Sequence, residues 1–133
     1  MFKGVHDSLL IAYSVNSESQ ELVLSMHPHH GTARSPFNVV FYGAVAHCFD
    51  APLLPAILYD ISAVSAERLI TEEWPRIEPG HNANVWPGPW AVTLAAATQF
   101  AQSSNLQGFY ISSSYGLSGW VLAKSAGLIA SEP

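Results

Sequence analysis

His27, His29 and His30 fall within four residues, and imidazoles grouped this tightly can offer two metal ligands from one loop. A zinc site needs three or four ligands, and no cysteine pair, His-Glu-x-x-His run or second cluster stands ready to complete it. The simpler reading is a solvated polar loop, and neither a metal nor another cofactor is expected. His47-Cys48 joins an imidazole to the chain's one thiol. Neighbours in a strand point to opposite faces, so the two cannot activate each other in extended chain. Cys48 then reads as a small buried side chain and His47 as a hydrogen-bonded histidine of core or edge. His6-Asp7 meets the same geometric objection. A carboxylate such as Asp7 or Asp60 orienting His6 or His47 from another strand is what a small hydrolase-like enzyme would use.

Gly116-Leu117-Ser118-Gly119-Trp120 carries part of a nucleophile-elbow pattern, but its second glycine comes one place early and no helix follows. It reads as a turn between strands. Glu72-Glu73 reads as a solvated acidic pair at a helix end. The most site-like run is Trp86-Pro87-Gly88-Pro89-Trp90, where two prolines stiffen a loop that presents aromatic rings. Trp86 is the better candidate for a partner or ligand surface, Trp90 the member that anchors a helix, and Tyr115 an aromatic neighbour for such a surface.

The elements that must position these groups follow from periodicity. Leu9, Ile11, Tyr13 and Val15 alternate, Leu22, Leu24 and Met26 answer them, and Asn16 to Gln20 is a polar turn, which predicts an N-terminal hairpin. After a Pro- and Gly-containing loop at 27–36, alternation from Phe37 to Phe49 predicts one strand with a bulge at Gly43, Phe41 facing the core and Asn38 facing out. Leu53 to Val64 fits either period, and a strand at Ile57 to Ala63 is favoured because Ser65 can cap a short helix, Ala66 to Glu73, ended by Pro75. A long connection from Trp74 to Pro89 then leads to a helix from Trp90 to Gln102, apolar round most of its circumference and so expected to be buried on nearly all sides. Gly108 to Lys124 reads as two strands and a tight turn, and Ser125 to Pro133 as a loose tail.

The expected architecture is a single α+β domain over residues 1–133, a mainly antiparallel sheet of five or six strands in the order β-β-β-β-α-α-β-β with two helices on one face. Charged residues are 11% of the chain, against about 25% in an average globular protein. A surface so poor in charge favours association through neutral or apolar patches. The five basic residues are scattered and the net charge is −5, which excludes the electrostatic footprint of a nucleic-acid binder and disfavours an anionic membrane. No apolar run reaches the roughly 20 residues needed to span a bilayer, no export signal is read at the N-terminus, and the lone cysteine suits a reducing compartment. A cytoplasmic location is the default expectation. The pattern points to a binding or protein-interaction domain acting as a homo-oligomer rather than to an enzyme, with a histidine and carboxylate hydrolase and a purely structural homo-oligomer as the rivals.

Overall fold

The computed structural model describes residues 2, 4–28 and 35–131. Eleven elements follow in order: β1 (Leu9–Asn16), β2 (Glu21–His27), β3 (Phe37–Tyr42), β4 (Ala46–Asp50), β5 (Ala56–Ser65), α1 (Ala66–Asn84), a 3₁₀ turn (Pro89–Ala91), α2 (Leu94–Ser103), β6 (Gln107–Tyr115), β7 (Ser118–Ala123) and β8 (Ser125–Ala130). The α+β class and the antiparallel sheet are as expected, but among the described residues the sheet has eight strands, in the order β4-β7-β6-β5-β1-β2-β3-β8. Among the described residues no helix is long and apolar enough to cross a membrane.

The two strands beyond the six of the expected order come from corners. The expected strand from Phe37 to Phe49 breaks at Gly43, whose φ of +62° is open to glycine at little cost. Its first half, β3, pairs with β2 and β8, and its second half, β4, pairs with β7. The segment expected as a tail from Ser125 instead forms β8, because β3 offers an unpaired edge and Phe37 to Tyr42 align residue for residue with Ala130 to Ser125. Chain continuity from β3 to β4 and from β7 to β8 carries the ladder round the corner, where Val45 donates to the Leu122 carbonyl and Lys124 to that of Tyr42. The sheet thus curls around one core, in which Leu10, Leu24, Phe41, Leu58, Phe109 and Val121 are sealed from solvent. Phe41 is fully buried, as its alternation requires, and Asn38 takes the other face.

The helices lie outside the curl, over Trp120 and Leu122 of β7. Ser65 caps α1 as expected, accepting from the Arg68 amide at 3.1 Å. The helix does not stop at Pro75. It runs to Asn84 with Pro75 and Pro79 inside it, ending on a left-handed Val85 whose amide donates to the His81 carbonyl. Each proline forfeits one hydrogen bond, to the carbonyls of Thr71 and Pro75, but Thr71, Pro75 and Pro79 share an exposed stripe where water can take the freed carbonyls. Buried Leu69, Ile70 and Ile77 hold the opposite face. The long connection expected from Trp74 therefore shrinks to the few residues after α1.

The second helix also differs from expectation. Thr93, accepting from the Ala96 amide at 3.0 Å, separates the 3₁₀ turn from α2. Ala97 and Ala101 are buried, while Ala95 and Ala96 face solvent. An alanine counts as apolar in the sequence but loses little by exposure, so an alanine-rich circumference does not require burial on all sides.

Candidate functional site

β4 is an edge strand with two unlike faces. Ala46 and Cys48 lie opposite Leu122 and Trp120 and turn to the helices, while His47 and Phe49 lie opposite Val121 and Gly119 and turn to the inside of the curl. Distal β1 approaches this strand through a change of phase that alternation alone hides. The β1–β2 register slips between Leu10 and Ala12, a β-bulge, so that Leu10, Tyr13 and Val15 all stand opposite core residues of β2 (Met26, Leu24 and Leu22). The expected series Leu9, Ile11, Tyr13 and Val15 is thus corrected: Leu10 is the buried residue, and Tyr13 and Val15 face inward yet remain 38% and 48% exposed. Their side of the curl is an open mouth.

A groove of 570 Å³ fills that mouth and wraps round the β4 edge, between Tyr13, His47 and Phe49 on one side and Gly80, Asn84 and Trp86 on the other. Tyr13 meets Phe49 edge-on at 5.0 Å between ring centroids, and His47 lies 5.1 Å from the same ring. A second cavity of 420 Å³ continues past His47 between Val15, Asn16 and Ala46, walled by Pro87, Pro89 and Trp90. Arg76 reaches from α1 to Asp50 at the end of β4 in a 2.6 Å ion pair, and among the described residues the groove wall then carries no free cation.

Burial sets the protonation chemistry here. It lowers the His47 pKa from the ordinary 6.5, so the imidazole is neutral at pH 7. It raises the Cys48 thiol against the opposing pull of Arg76, which keeps the sulfur from acting as a thiolate. Because the fold disfavours the His47 proton, its contribution to stability is complete above pH 6.5 and is lost as pH falls through the lowered folded-state value. Urea midpoints between pH 8 and 5 should fall more steeply for the wild type than for His47→Gln. Parallel curves would show that His47 pays no such cost.

A separate polar cavity of 320 Å³ lies beside Asp50, Glu73, Tyr110 and Trp120. The Tyr110 hydroxyl sits 3.0 Å from Glu72 and 3.1 Å from Glu73. Desolvation first, then these two carboxylates, push its pKa well above the usual phenol range. The Tyr110 hydroxyl on β6 thus ties the Glu72-Glu73 run to the sheet rather than leaving it merely solvated, and Glu72 also pairs with Arg68 one turn away on α1.

The other sequence candidates scatter. His6 and Asp7 do meet, at 3.3 Å, because Asp7 takes a left-handed φ of +62° that breaks the extended chain, but both are exposed. Asp60 lies on β5, and among the described residues no carboxylate pairs with His47. His27 is exposed at the end of β2, while His29 and His30 lie outside the described residues. No group of three metal-ligating side chains occurs among the described residues. Trp86 is half-buried against Trp120, with ring centroids 5.9 Å apart, rather than held out on its loop. Trp90 stacks on Phe100 at 4.9 Å, and Tyr115, 54% exposed at the β6–β7 turn, lines neither groove cavity. Sequence reasoning missed Tyr13, Phe49 and the Arg76–Asp50 pair as site residues. Alternation put Tyr13 on the inner face but gave no sign of the open mouth in which it stands, and the ion pair joins positions 26 apart.

No known protein family, curated protein or solved structure matches the chain.

Proposed function

We propose that this protein is a non-catalytic binding domain that takes hold of another protein through the groove between distal β1, β4 and the end of α1. The observation that carries the reading is the pair of inward-facing but exposed residues, Tyr13 and Val15, at the mouth of an otherwise sealed core. Apolar side chains left open at a concave site lower their free energy when a partner covers them, by about 25 cal/mol per Å² buried. The neutral groove wall suits an uncharged segment of that partner. A hydrolytic reading would ask for a carboxylate at His47, whose ring contact is Phe49.

The test is affinity capture from the native host, with the retained proteins identified, using wild type and Ala83→Trp as bait. Ala83 is exposed on α1 and lines the groove, so a tryptophan there fills the site without entering the core. The variant should lose at least tenfold of the captured partner while keeping the wild-type melting temperature. Equal capture by both baits would remove the groove from the reading. Trp86→Ala is a poorer probe, because it also strips the packing from Trp120.

Self-association belongs to the same reading. β8 is an edge strand without charge or proline, and its Leu128 and Ile129 are exposed. Two copies related by a two-fold axis could pair such edges antiparallel. Light scattering after size exclusion should give a dimer at micromolar concentration, and a 14.4 kDa monomer would set this part aside.

A further inference from the structure

Distal β1 and β4 face each other across the groove without pairing. Among the described residues, β1 beyond Leu10 is paired only with β2, and β4 only with β7. Tyr13 meets Phe49, and Val15 and Asn16 share a cavity with Ala46 and His47, so the two strands run in opposite directions along the gap. Paired strands lie about 4.8 Å apart, and strands on either side of a vacant position about 9.6 Å apart. Tyr13 and Phe49 bring their rings together across the gap, while among the described residues no ladder joins the two strands. Each edge therefore presents a row of N–H and C=O groups to the gap, with no partner among the described residues.

Resting on the binding reading above, we propose that the partner inserts an extended, uncharged segment as one further strand between β1 and β4. Only a polypeptide in extended conformation supplies alternating donors and acceptors on both of its sides. It would lie antiparallel to one edge and parallel to the other, with alternate side chains against Tyr13 and Phe49 inside and against Trp86 and Gly80 outside. The inside positions take apolar side chains. The outside positions take small ones, since the Trp86 ring already crowds Gly80. Among the described residues His27, Phe37 and Ala130 stand at the far end of their ladders from Asn16 and Tyr42, which leaves the gap open to a segment of another chain.

The probe is a displayed library of random twelve-residue peptides, selected on the wild-type protein and counter-selected on Ala83→Trp. Backbone N-methylation of a selected peptide, one position at a time, then reads the pairing. A strand bonded on both sides uses the N–H of every residue, so methylation at consecutive positions should each weaken binding about tenfold. Hydrogen exchange should slow at amides of both β1 and β4. Losses at alternate positions only would mean addition to a single edge, and losses at none would mean side-chain recognition. Either result overturns insertion, as does a library that yields no peptide sensitive to Ala83→Trp. Concentration-dependent protection of the gap and of β8 in the protein alone would place a second copy there and overturn it too. If the host partner is captured in an Ala83-dependent way while gap amides stay unprotected, insertion fails and the binding reading stands.

Discussion

Phe41→Ala is expected to lower the free energy of unfolding by about 3 to 5 kcal/mol, a large share of the roughly 5–15 kcal/mol that holds a domain together. Phe41 is fully buried at the centre of the curl, opposite Leu22 on β2. Its ring meets Phe109 of β6 at 5.2 Å in an edge-on contact, so one side chain ties together parts of the sheet that are far apart in strand order. Strands that wrap a core on several sides cannot collapse into the space left by a lost ring, and the cavity term therefore stays near its full size. Urea titration of the variant beside Asn38→Ala measures it. The outward position should cost less than about 1 kcal/mol, and a comparably small loss at Phe41 would mean that the core is not where its burial puts it.

Gly119→Ala should be nearly as damaging, for a different reason. A β-carbon there would stand inside contact distance of the Cys48 carbonyl oxygen and 3.0 Å from the Phe49 Cα, both of them backbone atoms with no rotamer to relieve the clash. Gly119 is the partner of Phe49 in the β4–β7 ladder, so relief requires β4 to move off the sheet. The expected cost is about 3 kcal/mol or more, together with fast amide exchange over Ala46–Asp50 and loss of whatever the groove binds. Gly127→Ala is the control. Its β-carbon would meet nothing nearer than the Tyr42 ring at 3.9 Å, and it should change stability by less than about 0.5 kcal/mol. If both substitutions cost the same small amount, β4 is not held against β7 by this close approach.

The groove depends on that approach in a way the chain does not announce. With β4 drawn tightly onto β7, its other edge is left free, and the β1 bulge turns Tyr13 and Val15 toward it. The ion pair from Arg76 to Asp50 ties the end of β4 to the middle of α1, a helix that reaches the groove only because it passes Pro75 and Pro79. Filling or distorting any of these elements should alter binding before it alters the core.

What the sequence determined by itself was local. The Ser65 cap and the β6–β7 hairpin form as their local patterns require. The strand before Ser65, whose own period fitted helix as well, follows from that cap, and the N-terminal hairpin forms with the early half of its first strand out of phase. Phe41 faces the core for the same reason. Tertiary structure decided the rest. A one-residue bulge at Ile11 inverts the phase of distal β1 without changing a residue type, β8 forms because β3 has an edge to fill, and α1 survives two prolines because packing on Ile70 and Ile77 outweighs two lost hydrogen bonds on its wet side. The site belongs to this second group. Tyr13, His47, Trp86 and the pair of Asp50 with Arg76 are remote along the chain, and only the curl of the sheet and the length of the helix bring them to one groove, because proximity between distant residues carries no local period.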